Sequence, residues 1–162
     1  GLAQALIFVN SKLGAARLAR SFERDGLKTQ ALHGDKSQDE RLKALAAFKA
    51  GEVDLLVATD VAARGLDIAD LPGVFNFDVP FNAEDYVHRI GRTGRAGRNG
   101  LAITLGERMD SGMIRRIQQF TTQNIPVATI AGLEPKSPEP KMYASRPAGG
   151  APARRRCRRR HG

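Results

Sequence analysis

Apolar positions along the first 133 residues switch between two spacings. Ala5-Leu-Ile-Phe-Val9 is an unbroken apolar run of strand length, the pattern of a strand covered on both faces in a parallel sheet. Ala15, Leu18, Ala19 and Phe22 then recur at i, i+3, i+4 and i+7, one face of a helix. Asn10 or Ser11 can cap that helix, and Gly26 suits its C-terminal exit. A short strand is predicted over 27–32. Ser37 and Glu40 form a capping box for a second helix, with Leu42, Leu45 and Phe48 as its buried stripe and Gly51 as its stop. Further strands are predicted over 53–58, 74–78 and 101–105. Helices are predicted from the Asn82 cap through Ile90 and over 108–120. Strands alternating with helices imply an α/β fold, a doubly wound parallel sheet with helices on both faces.

The pattern ends after Leu133. Five of the eight prolines lie in 134–162, with Gly149-Gly150 and almost no large apolar side chain. A segment so poor in apolar surface cannot offset its ordering entropy, so 1–133 is expected to be the domain and 134–162 a disordered tail.

Charge divides the chain in the same way. The net charge is +9, and residues 134–162 carry seven Arg and two Lys against two Glu. The first 133 residues are therefore nearly neutral and the tail is a cation, suited to a polyanionic partner or simply to solvation. The chain has one cysteine, Cys157, so an internal disulfide and a thiolate zinc cluster are excluded and a cytoplasmic setting is expected. Flanking arginines could lower the Cys157 thiol pKa, or the residue is incidental. No run approaches the roughly 18–20 apolar residues of a membrane span, so no membrane partner is expected. Ala5–Val9 is also too short for a signal peptide. The first residue is Gly1 rather than Met, as expected of a piece of a longer protein.

Chemistry in an open α/β sheet collects in loops at the carboxyl ends of strands. His88-Arg-Ile-Gly-Arg-Thr-Gly-Arg95 places Arg92 and Arg95 three apart among glycines. Planar, permanently charged guanidinium groups suit phosphate oxygens; the alternative is a solvated basic turn, or pairing with Asp67 or Asp85. Thr59-Asp-Val-Ala-Ala-Arg-Gly-Leu-Asp67 follows a predicted strand directly. It could present a hydroxyl to phosphate, a close backbone approach at Gly65 and a ribose-binding carboxylate at Asp67; the alternative is a short helix capped by Thr59 or Asp60. In His33-Gly-Asp-Lys-Ser-Gln-Asp-Glu-Arg41, Gln38 and Arg41 share the first turn of a helix whose open amides attract phosphate; the alternative is an exposed first turn. His33 and His88 lack a metal-ligand pattern and read as structural.

These strings, in this order, resemble one family, the DEAD-box RNA helicases. Residues 5–11 are similar to motif IV, His33-Gly-Asp35 with Gln38-x-x-Arg41 to the elements that follow it, 59–67 to motif V and 86–95 to motif VI. The resemblance spans residues 4–132. Ile125-Pro-Val-Ala-Thr-Ile130 with a basic tail is similar to the bacterial RhlE branch. The resemblance implies a RecA-like domain, the second of two. It implies that Arg92 and Arg95 reach the γ-phosphate of ATP, with Arg95 as the arginine finger, and that Gly65 and Asp67 meet the ribose. It implies that Ser11, Gly34, Gln38, Arg41, Thr59 and Arg64 hold the RNA backbone, with little sequence preference. No Gly-Lys dipeptide and no Asp-Glu-Ala-Asp string occurs in the chain. The phosphate loop and the Mg2+ site are therefore expected on an N-terminal RecA-like domain that the chain lacks, and the chain alone is expected to be inactive. RNA and that N-terminal domain are the implied partners, with ribosomal or RNA-decay proteins as further candidates. Two readings remain: half of an ATP-dependent RNA helicase, or a stand-alone RNA-binding module without catalysis. A DNA-directed helicase half fits the motif V and VI strings less well.

Overall fold

The structure, a computed structural model, describes residues 4–64, 66–93, 100–129 and 131–132. Gly65, Arg95 and the 134–162 segment, each given a role or a character above, lie outside the described residues. Among the described residues, five strands form one sheet: β1 (Ala5–Val9), β2 (Thr29–Leu32), β3 (Leu55–Thr59), β4 (Gly73–Asn76) and β5 (Leu101–Thr104), in the order β2-β3-β1-β4-β5. Every pairing is parallel. The intervening helices are α1 (Lys12–Arg24), α2 (Gln38–Lys49), α3 (Asp60–Ala63), α4 (Ala83–Ile90) and α5 (Ser111–Thr121).

β1 is buried along its whole length because it lies between β3 and β4 with a helix on each face. Leu6 and Phe8 point to one face, where they meet Leu45 and Phe48 of α2 together with Leu32 and Leu56. Ile7 and Val9 point to the other, against Ala15 and Ala19 of α1. The apolar run found in the sequence is thus a two-faced core strand. A third cluster joins α4 to α5 through Val79, Tyr86 and Ile117. Burial raises the pKa of the Tyr86 hydroxyl above its ordinary value.

Local chemistry sets the helix ends. Ser11, rather than Asn10, caps α1: its Oγ accepts from Gly14 N at 3.0 Å. The Ser37–Glu40 capping box forms at the start of α2. Both helices stop on a left-handed glycine, Gly26 at φ +82° and Gly51 at φ +79°. In each case the glycine amide and the next one return to carbonyls of the last turn: Gly26 to Glu23, Leu27 to Phe22, Gly51 to Phe48, and Glu52 to Ala47.

Several boundaries differ from those expected. Residues 27–28 stay outside β2 because the Leu27 amide closes α1 while the Lys28 carbonyl accepts from both Asp54 and Leu55. The latter contact also delays β3 to Leu55. Residues 77–78 and 105 lie beyond β4 and β5. The helix expected over 108–120 opens with a 3-10 turn, Arg108–Asp110, closed by reciprocal bonds between Glu107 and Asp110. Leu42 is a clear correction: it is 47% exposed. The inward stripe of α2 runs 41, 44, 45, 48, so Arg41 occupies the position expected for Leu42. No described helix is long and apolar enough to cross a membrane.

Candidate functional site

Parallel pairing brings the carboxyl ends of all five strands to one edge of the sheet. Three of the four motif segments lie in the loops that leave it. Asn10 and Ser11 follow β1, His33 and Gly34 follow β2, and Thr59 closes β3 and caps α3. The fourth segment, on α4, reaches back to the same edge.

The RNA-assigned residues differ in their local surroundings. Ser11 caps α1 as described. His33 is buried, and its Nδ1 accepts from Asp35 N at 3.3 Å, which shapes the Gly34 turn. Gly34 has open space where a Cβ would stand. Lys12 pairs with Asp35 at 3.1 Å and ties the start of α1 to that turn. Gln38 is exposed at the first turn of α2. The Arg41 stem packs inward, and its Nε is buried with no hydrogen-bond partner among the described residues. Thr59 is buried and its Oγ1 accepts from Ala62 N at 3.3 Å, the short capped helix that was the alternative reading of that string. Arg64 reaches Asp85 of α4 at 3.2 Å. Asp85 also accepts from Asn82 Nδ2 at 3.1 Å, so α4 and the end of α3 are joined at their surfaces.

On the other side of α3, Asp67 is 94% exposed and lies 3.7 Å from Lys49. An exposed pair of this kind contributes little to stability, which leaves the carboxylate available to a ligand hydroxyl. Arg92 donates through Nη1 to the carbonyls of Leu66 (3.0 Å) and Ile68 (3.1 Å), and through Nη2 to Ala63 (3.1 Å). The two Nη1 acceptors flank Asp67, so the arginine assigned to phosphate also sets the backbone that presents the ribose-assigned carboxylate. Leu71 N bonds to the Arg92 carbonyl at 3.0 Å, and the Thr93 hydroxyl donates to the Leu71 carbonyl. The end of α4 is therefore strapped to Ala63, Leu66, Ile68 and Leu71.

Sequence reasoning passed over a residue with five hydrogen bonds, Arg89. Arg89 is 1% exposed. Its Nε and Nη2 bind the two carboxylate oxygens of Asp60 at 2.7 and 2.6 Å. Nη2 also donates to Asn10 Oδ1 at 2.8 Å, and Nη1 to the Asp78 carbonyl at 2.7 Å and Asn76 Oδ1 at 3.4 Å. The guanidinium carbon stands 5.2 Å from the centroid of the Phe8 ring, within cation–π range. Asn10 is fixed in turn: its amide donates to Asp78 Oδ2 at 2.8 Å and its Nδ2 to the Val79 carbonyl at 2.9 Å. A signal was present. Arg89 follows the buried Tyr86 by three positions and precedes Ile90, on the apolar stripe of α4, where a charge must be paired.

Residues 2–97 match the family described as helicase conserved C-terminal domain. The chain is 39% identical over 138 residues to the ATP-dependent RNA helicase SrmB of Haemophilus influenzae, covering 85% of this chain and 31% of that protein. It is 46% identical over 121 residues to the DEAD-box ATP-dependent RNA helicase CshA of Bacillus subtilis, covering 75% and 24%. The chain thus spans less than a third of the length of these relatives. The fold superposes on the crystal structure of Escherichia coli DEAD-box protein SrmB bound to regulator of ribonuclease activity A, with a TM-score of 0.81 at 38% identity, covering 86% of this chain and 82% of that one. A DEAD-box protein from Methanococcus jannaschii gives a TM-score of 0.71 at 40% identity, covering 75% and 33%.

Proposed function

Since the chain belongs to the helicase C-terminal domain family, on its DEAD-box branch, we propose that it works as the second RecA-like half of an ATP-dependent RNA helicase that remodels RNA duplexes. RNA backbone would run past Ser11, Gly34, Gln38, Arg41, Thr59 and Arg64. The nucleotide would meet Gly65, Asp67, Arg92 and Arg95 from the opposite domain, which would also hold Mg2+. The observation that carries this reading is the convergence of all four motif segments on one sheet edge, with α4 bolted to the loop after β3. Phosphoryl transfer needs little covalent help from protein; it needs positioned positive charge at the developing transition state. The chain offers that charge on α4 and beyond it, but holds no phosphate-binding loop of its own.

The purified chain is expected to show no ATPase activity with or without RNA. Joined to an N-terminal RecA-like half bearing a phosphate loop and an Asp-Glu-Ala-Asp string, it should support RNA-stimulated hydrolysis. RNA-stimulated turnover by the chain alone overturns the proposal, whereas RNA binding by a joined protein that never hydrolyses ATP favours the stand-alone binding module.

The tail is proposed as an electrostatic anchor. Residues 146–160 hold seven arginines and no acid. Neutralising Z phosphates on a single strand gives a slope of about −0.7Z in log K against log salt. With about four to six arginines engaged, removing 134–162 should flatten that slope by roughly 3–4 units on a structureless oligonucleotide. Equal slopes with and without the tail rule out the anchor.

A further inference from the structure

The first 133 residues are nearly neutral as a whole, yet one helix concentrates positive charge. α1 holds Lys12, Arg17, Arg20 and Arg24 against Glu23 alone. Helical spacing fixes where these side chains go. Ala15 and Ala19 are buried against β1 and β3, with Leu18 and Phe22 packed beside them. Positions 13, 17, 20 and 24 fall on the opposite side of the helix, and all four residues there are exposed. Arg17, Arg20 and Arg24 therefore form a line down the outward face, about 10 Å long on the helix axis. Other cations of the domain are engaged: Arg64 with Asp85, Arg89 with Asp60, Lys49 with Asp67. Among the described residues, Arg17, Arg20 and Arg24 take part in no ion pair. They are also like-charged neighbours at i,i+3 and i,i+4, an arrangement slightly unfavourable to the helix until anions lie along it.

The line starts beside the RNA-assigned edge. Ser11 caps α1, and Lys12 ties its first turn to Asp35 in the Gly34 turn. We propose that the outward face of α1 is a second contact line for RNA phosphates, taking the strand as it leaves the carboxyl edge past Ser11. The proposal deepens the function given above and rests on it. Guanidinium forks suit phosphate oxygens and read no base. At about 3.4 Å per phosphate along a helical strand, the line has room for roughly three. An acidic protein surface is the competing occupant; the start of the line beside Ser11 and Gly34 favours RNA.

The test uses the full-length enzyme carrying this chain. Structureless oligonucleotides of two lengths are bound across a salt series, one that fills the carboxyl edge only and one with a single-stranded extension. The wild type should bind the longer one more tightly. Arg17→Gln, Arg20→Gln and Arg24→Gln are combined, since glutamine keeps the helix propensity, and far-UV circular dichroism checks the fold. The triple variant should lose the gain from length while binding the short RNA within about twofold of wild type. Its slope of log K against log salt on the longer RNA should flatten by about 2 units, or about sixteenfold in affinity over a fourfold rise in salt. Arg20→Gln alone should show about a third of that flattening. A control that replaces Lys43, Arg108 and Arg116 by glutamine removes the same charge elsewhere and should keep the gain from length. Wild-type length gain and slope in the folded α1 variants overturn the proposal. An equal loss in the control also overturns it, because general charge then suffices. A wild type that binds neither oligonucleotide overturns the proposed function and this inference with it.

Discussion

Arg95→Ala, in an enzyme joining this chain to a nucleotide-holding half, is expected to lower kcat by about 10³ while nucleotide affinity stays close to wild type. Arg95 follows Arg92 by three residues in the motif VI string, and its assigned task is to meet charge that develops only in the transition state. A group with that task raises kcat without tightening the ground state. Arg92→Ala should behave differently. The Arg92 guanidinium already donates to the carbonyls of Ala63, Leu66 and Ile68, so its loss releases the segment that presents Asp67 and should weaken nucleotide binding as well as turnover. Steady-state kinetics and analogue binding on both variants separate the two effects. A large loss of nucleotide affinity in Arg95→Ala, with kcat little changed, would falsify the assignment of Arg95 as the finger.

Arg89→Ala should destabilise the isolated chain by about 3–5 kcal/mol, the usual cost of removing one partner from a buried ion pair. Domains of this size are stable by only about 5–15 kcal/mol, so the variant should be partly unfolded at modest denaturant. The side chain is fully buried and Asp60 is 20% exposed, so little water can replace the lost partner. The Asp78 carbonyl and the Asn10 and Asn76 side chains lose a donor in the same step. The pair itself is a different matter, because burying two charges costs nearly what their attraction returns. Arg89→Met combined with Asp60→Asn should therefore lose less stability than Arg89→Ala alone. Urea unfolding of the wild type and both variants measures this; an Arg89→Ala curve within about 1 kcal/mol of wild type means that solvent or a rearranged side chain satisfies Asp60.

Much of the architecture was legible because its signals are local. The apolar run of β1, the Ser37–Glu40 box and the two stop glycines each speak for a few neighbouring residues, and each appears where expected. The errors have local causes too. Leu42 was read as the head of the α2 stripe because leucine is the more apolar choice, but the helical period points position 41 inward, and arginine can bury its stem there. The order of the motif strings pointed to the family, because each string is a contiguous run readable without the fold. It could not display Arg89. That residue takes its importance from Asn10, Asp60 and Asp78, which are far from it in sequence and adjacent only once four elements have assembled. Arg64 shows the same limit: its partner Asp85 was a candidate counter-ion for the motif VI arginines, whereas the fold pairs it with motif V.

The sheet order has a consequence for the way the chain is made. Of the five described strands, β1 is made first yet occupies the centre, with Ala5 opposite Leu55 and Leu6 opposite Val74. Among the described residues no hairpin holds it in the meantime; its strand partners are distant, and pairing of this kind is slow and leaves apolar edges open while it waits. The five apolar residues of β1 are thus a nascent-chain hazard until β3 and β4 are both available. Even then assembly is incomplete, because Asp60 and Asn10 remain without their guanidinium until residue 89 arrives. Vectorial folding of this domain should accordingly wait for α4, and then for β5 and α5 behind it.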